Sequence, residues 1–261
     1  MNADELEERI AGFLNWNYRF EFDNGAITPI QNQGLLNRQE QRRRYFFAAL
    51  LTLYGGSLAG RRVLDLGSGV GFWALEAAAA GADFVMGIDA REERVTQSRL
   101  VFEASGIDPS RYEFEHANLF TRPTPDGFDI VLCLSMLEET ARPFELFERF
   151  AASGAELVVL ECELAPVASS FFAVETLPKR KVIERPLVLV PTRDAVVELA
   201  KEFGFDVLAL ARNMTDYAGL DDYRRRRRLA FFLARGRPLD ALAAEPAWQP
   251  ALAGALARLR G

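Results

Sequence analysis

Short apolar runs alternate with amphipathic stretches through the middle of the chain. The runs at residues 63–66, 84–88, 112–117, 128–134 and 157–162 have the length of buried strands. Between them, residues 72–80, 92–104 and 143–152 space their apolar positions as helices do. Such alternation predicts a parallel sheet with helices on both faces. Thr192 is a good N-cap for a helix over 193–203. Residues 205–211 and 228–234 follow as strands with no apolar helix between them, so they are expected to pair antiparallel. The expected fold is α/β: an open, doubly wound, mostly parallel sheet with an antiparallel last strand.

The two ends read differently. Leu6, Ile10, Phe13 and Leu14 predict an amphipathic helix over 4–20. Gly25, Pro29 and Gly34 punctuate a loop over 21–37, and a second helix is expected over 38–54. Residues 164–190 carry Pro166, Pro178 and Pro186 and exceed a plain connector, which predicts a functional loop or insertion. Residues 238–260 read as a helical tail. The division is a helical lid and substrate segment (1–58), a core with its insertion (59–237) and a tail (238–261).

Composition removes function classes. The chain has 261 residues, 49% hydrophobic and 26% charged, which excludes a disordered chain. A net charge of −6 disfavours nucleic acid and anionic membrane as partners. Cys133, Cys162 and the single histidine, His116, cannot build a conventional zinc site, and one histidine disfavours Ser-His or Cys-His nucleophilic chemistry. The N-terminus is acidic, unlike a signal peptide, and no apolar stretch reaches the length of a membrane span. The cytoplasm is the default compartment.

The chemistry concentrates at Asp65-x-Gly67-x-Gly69-x-Gly71, where the first strand runs into a glycine-rich turn opening a helix. Open α/β sheets bind ligands at such a turn. A dinucleotide fingerprint would need a glycine at position 72, which is Phe72. A carboxylate at Asp65 repels a pyrophosphate and attracts an ammonium group. Asp89 ends the second strand, where a carboxylate accepts hydrogen bonds from ribose hydroxyls. Adenosine joined to a cationic amino-acid tail is S-adenosyl-L-methionine.

On these residues the chain resembles the class I S-adenosylmethionine-dependent methyltransferases over roughly residues 60–235. The resemblance implies that Asp65, Gly67, Ser68, Gly69 and Gly71 cradle the cofactor, with Asp89 and Ala90 at the ribose and adenine. Asn118-Leu119-Phe120 matches the segment that meets the adenine amine, placing Asn118 and Leu119 there. Leu134 and Ser135, at the end of the fourth strand, would lie beside the methionine portion. Many relatives continue Leu-Glu-His, where this chain has Leu137-Glu138-Glu139. Trp16, Phe20, Asp23-Asn24-Gly25 and Thr28-Pro29 resemble the N-terminal segment of small-molecule methyltransferases and of wobble-uridine tRNA-modifying enzymes. This segment closes over the cofactor in such enzymes and brings Trp16 to it.

The function implied is methyl transfer to an O or N of a small-molecule acceptor. A hydroxyl acceptor needs its proton removed, and with one histidine the base falls to Glu138 or Glu139, with Tyr18 positioning the acceptor. No metal is implied. Two alternatives remain. An RNA-modifying transferase would use the run Arg224 to Arg228, whose plainer reading is a solvated turn. A non-catalytic cofactor-binding adaptor would need no base.

Overall fold

The computed structural model describes residues 1–30, 32–178, 186–210 and 214–243. Five parallel strands form most of one sheet: β1 (Arg62–Leu66), β2 (Phe84–Asp89), β3 (Tyr112–His116), β4 (Ile130–Leu134) and β5 (Leu157–Glu163). A hairpin of β6 (Phe172–Thr176) and β7 (Leu187–Pro191) stands apart. β8 (Asp206–Leu210) and β9 (Arg228–Ala234) complete the sheet, whose order is β3-β2-β1-β4-β5-β9-β8. β9 runs antiparallel to both β5 and β8. β9 is thus inserted between β5 and β8, which places Arg228 beside Glu163 at the carboxyl end of β5.

Alternating side chains of the strands feed two cores. On one face Val63, Val85, Ile130, Val159 and Phe232 pack in one cluster with Trp16, Phe20, Phe46 and Phe102. On the other, Leu64, Val131, Leu160 and Phe231 meet Phe147, Phe150 and Val196. Burial of each large apolar side chain contributes roughly 1.5–3 kcal/mol. The N-terminal aromatics therefore belong to the main core.

The flanking helices are α1 (Ala3–Ala11), α2 (Gln33–Arg42), α3 (Ala48–Leu53), α4 (Phe72–Ala79), α5 (Glu92–Ala104), α6 (Pro143–Ala152), α7 (Arg193–Glu202), and the short α8 (Asp221–Arg224) and α9 (Asp240–Ala243). Two N-terminal expectations need correction. The first helix ends at Ala11, where Gly12 caps it, so residues 13–20 are not helical. Trp16 instead donates its Nε1 proton to the Ile10 carbonyl at 3.2 Å and meets Phe13 and Phe20 edge-on. The second helix begins at Gln33, because the Asn32 side chain accepts the Leu35 amide at 3.0 Å. A π-helical turn, Arg43–Phe47, joins α2 to α3.

α2 is docked onto the segment that follows β8. Asn37 donates to the carbonyls of Asp216 and Ala218, Gln41 to the Thr215 hydroxyl, and Arg38 grips Asp222 with both terminal nitrogens. At the start of α2 the chains touch backbone to backbone: a Cβ on Gly219 would lie 2.3 Å from the Gly34 carbonyl oxygen.

The stretch 164–190 contains β6 and the start of β7, and β7 runs beside the exit of β4, its Leu189 amide donating to the Thr140 carbonyl at 3.0 Å. Residues 179–185, and the tail expected beyond residue 243, lie outside the described residues. Among the described residues no helix is long and apolar enough to cross a membrane, and no cluster of His, Cys, Asp and Glu could hold a metal ion.

Candidate active site

β1 leads directly into the glycine turn. Gly67, Gly69 and Gly71 have φ of 71°, 56° and 79°, a region closed to most side chains. The turn hangs on β2: the amides of Gly67 and Ser68 both donate to the Ile88 carbonyl, at 2.8 and 3.0 Å. Gly71 starts α4 and packs so closely on α5 that a Cβ there would meet Ser98 Cβ at 3.0 Å. Ser68 is buried and its hydroxyl has no partner.

Two carboxylates flank this turn and differ sharply in what they touch. Asp89 is satisfied: its Oδ2 accepts the Gly69 amide at 3.0 Å, and its Oδ1 accepts the Arg91 amide at 2.9 Å and Arg91 Nε at 3.0 Å. Asp65 is not. It is buried, its Oδ2 lacks a partner, and burial together with the nearby Asp89 charge raises its carboxyl to about 7. A buried, uncompensated carboxyl is expensive unless a cation meets it. The ammonium of an amino-acid tail fits that orphaned oxygen, and ribose hydroxyls fit Asp89 once the half-exposed Arg91 side chain yields.

An open cleft of about 820 Å³ runs past Gly67 and Asp89, while Asp65, Ser68, Gly69 and Gly71 lie behind its lining. Gly67, Asp89, Ala90, Asn118 and Leu119 line one part of it, and Ser135, Met136, Glu139 and Thr140 another. Asn118 turns its Oδ1 onto the Phe120 amide at 2.9 Å. Ser135 is one of two described non-glycine residues with positive φ (65°), a strain that marks a tightly determined position. Leu134 and Trp16 are buried in the core rather than lining this cleft.

Asp89→Ala is expected to weaken cofactor binding by about 1.5–3 kcal/mol, the scale for a charged hydrogen-bonding group. Calorimetric titration measures it, and unchanged affinity would remove Asp89 from the ribose.

The structure separates the two candidate bases. Glu138 is buried, and its Oε1 pairs with Arg228 Nη2 at 2.7 Å. Burial raises its carboxyl despite the opposing Arg228 charge. Glu139 instead forms part of the cleft wall. Tyr18 stacks on Phe72, with centroids 4.4 Å apart and planes at 5°, and its hydroxyl oxygen accepts from Arg42 Nη1 at 2.8 Å and Trp73 Nε1 at 3.1 Å. His116 lies on the sheet edge, with Nε2 3.2 Å from the Ala90 carbonyl.

Sequence reasoning missed the ionic groups beneath these residues. Arg42 is buried and grips Glu161 with two bonds of 3.0 and 2.5 Å. Arg228 is buried too: burial opposes its charge, but Glu138, Glu161 and Asp222 outweigh that and raise its pKa. Arg228 is the last residue of the arginine run, and Arg224 and Arg227 pair with Asp221 and Glu163. One faint signal existed: Arg228 opens an otherwise apolar strand, where an inward charge needs a partner.

Residues 57–202 match the methyltransferase domain family. The chain belongs to that family, and its fold is that of the class I S-adenosylmethionine-dependent methyltransferases. A ubiquinone biosynthesis O-methyltransferase of Neisseria meningitidis serogroup A is 36% identical over 86 residues, 33% of this chain and 36% of that protein. The chain thus spans about a third of the length of the curated relatives it matches. Among solved structures, the N-terminal domain of EvdMO1 with SAH bound superposes with a TM-score of 0.67 at 18% identity, covering 90% of this chain and 98% of that one. Magnesium protoporphyrin IX methyltransferase from Synechocystis PCC 6803 with bound SAM gives 0.55 at 18% identity, covering 79% and 86%.

Proposed function

We propose that the chain transfers the methyl group of S-adenosylmethionine to a hydroxyl oxygen of a small molecule, with Glu139 taking the proton. The observation that carries this is that Glu139 is one of the residues lining the cleft, with Ser135 and Met136. A hydroxyl oxygen needs a proton acceptor, and the only histidine lies at the edge strand against Ala90. The names of the curated relatives, O-methyltransferases, support an oxygen acceptor. The net charge of −6 and the pairing of Arg224, Arg227 and Arg228 with the chain's own carboxylates favour a small molecule over nucleic acid.

When bound, S-adenosylmethionine supplies an activated methyl, whose bond to sulfur breaks with the electron pair staying on a neutral thioether. The protein contributes position and charge. Asp65 and Asp89 fix the two ends of the cofactor. Tyr18, its oxygen already accepting two N–H groups, has its own proton to donate, but it packs on Phe72 and Trp73 away from the cleft lining and takes no part in holding the acceptor. Glu139 receives the acceptor proton as the new O–C bond forms.

Methyl-labelled S-adenosylmethionine offered with catechol, a primary alcohol and a primary amine tests this reading. Label on a hydroxyl oxygen is expected. Label on the amine alone, or none on any hydroxyl from protein that binds the cofactor, overturns it.

A further inference from the structure

One residue grips the exit of β4 at both ends. Arg228 Nη1 donates to Ser135 Oγ at 2.9 Å, and Arg228 Nη2 pairs with Glu138 Oε1 at 2.7 Å. Between those two grips lie Met136 and Leu137, and Glu139 follows immediately. The turn closes on itself through the Glu139 amide, which donates to the Met136 carbonyl at 3.0 Å. Ser135 is further pinned by its amide, which donates to the Glu161 carbonyl at 2.7 Å, and by its hydroxyl, 3.3 Å from Glu161 Oε2. A serine held at positive φ relaxes unless such contacts over-determine it.

Arg228 is braced in turn from the N-terminal segment. Its Nε donates to Asp222 Oδ2 at 2.7 Å, and Asp222 is gripped by Arg38 with bonds of 2.8 and 2.7 Å. Its Nη1 lies 3.7 Å from Glu161 Oε2, and Glu161 is gripped by Arg42. Arg38 and Arg42 are one helical turn apart on α2. Three guanidinium groups (Arg38, Arg42, Arg228) thus face three carboxylates (Glu138, Glu161, Asp222), and Glu163 approaches Arg228 from the exposed side at 3.8 Å. The planar fork of arginine is required, because two acceptors in different directions must be held at once.

We propose that Arg228 is a positioning residue for methyl transfer: by holding Ser135 and Glu138 together it fixes the β4 exit turn and so sets where Glu139 stands in the cleft. This rests on the reading of Glu139 as proton acceptor, and the experiment separates the two.

Met136 sits inside the gripped turn, its sulfur 3.4 Å from the position of a Cβ on Gly67, and it is one of four methionines. With methyl-labelled methionine and saturating S-adenosylhomocysteine, Arg228→Leu should move or broaden the Met136 methyl signal, assigned through Met136→Leu. Met86, buried in β2, reports global folding and should stay. Arg228→Lys, able to hold one acceptor and not both, should fall between. With catechol as the probe acceptor, Arg228→Leu should lower kcat about tenfold or more while S-adenosylhomocysteine affinity stays within about threefold. In a Glu139→Gln background the same substitution should add little, as expected of groups acting as one unit.

If Arg228→Leu shifts Met86 as well, Arg38→Gln, which removes only the outer brace, should give a smaller Met136 shift of the same kind. Unchanged Met136 signals in both variants, or a loss of kcat matched by an equal loss of cofactor affinity, overturns the proposal. Full activity of Glu139→Gln beside a shifted Met136 in Arg228→Leu sinks the base assignment and leaves the grip of Arg228 on the turn standing.

Discussion

Asp65→Asn should make the cofactor-free protein more stable and a worse binder at once. The folded-state carboxyl of Asp65 is raised to about 7 by burial and by Asp89, against about 3.8 for an ordinary aspartate. Folding therefore favours the neutral form. Its contribution is fully present below the unfolded value and is lost as pH rises from about 4 through 7. At neutral pH the cost is on the order of 4 kcal/mol, from about three pKa units at 1.36 kcal/mol each. An amide has no such titration, so Asp65→Asn should raise Tm at pH 7.5 and flatten the decline of stability between pH 4 and 7. Cofactor binding should respond in the opposite sense. A cationic ammonium prefers the carboxylate, so wild-type affinity should rise several-fold between pH 6 and 7.5 with release of a proton. The variant should lose that pH dependence and about 1.5–3 kcal/mol of affinity. Thermal melts and calorimetry across this range decide it, and a variant that is both less stable and unimpaired in binding would refute the account.

The second large effect is expected on turnover. Glu139→Gln keeps the size and the cleft lining of the side chain but cannot accept a proton. For a hydroxyl acceptor kcat should fall about 10²–10⁴-fold, the span usual for a lost general base. Cofactor affinity should hold, since Asp65 and Asp89 lie elsewhere in the site. Glu138→Gln should behave differently. Glu138 balances the buried charge of Arg228, so its loss should appear first in stability, by about 3–5 kcal/mol for a broken buried pair. Equal losses of kcat in both variants with equal losses of stability would show that Glu139 has only a structural part.

Much of the fold was legible because strand and helix periods are local properties. The helices Glu92–Ala104 and Pro143–Ala152 and the strand Arg228–Ala234 coincide with the apolar patterning. The first helix was overextended, because Phe13 and Leu14 continue a helical spacing that Gly12 interrupts and that Trp16 abandons to reach the main core. The second was begun too late, because its start depends on one Asn32 cap bond. The cleft segments containing Gly67, Asp89, Asn118 and Ser135 were readable for a similar reason: each sits at or just past a strand end, and strand ends can be found by pattern.

The sequence by itself determined the α/β framework with helices on both faces of the sheet, the glycine turn and the acidic residues on either side of it, since all depend on residues close together along the chain. The tertiary structure alone decided which carboxylate enters the cleft and which is consumed by Arg228. It also decided that Arg38 and Arg42, near the start of the chain, brace Arg228 near its end through Asp222 and Glu161. Those partners are separated from Arg228 by 67 to 190 residues except for Asp222, and a charge pattern along the chain carries no record of such distances. Only insertion of β9 between β5 and β8 brings that arginine to the β4 exit turn, where burial makes each pairing specific.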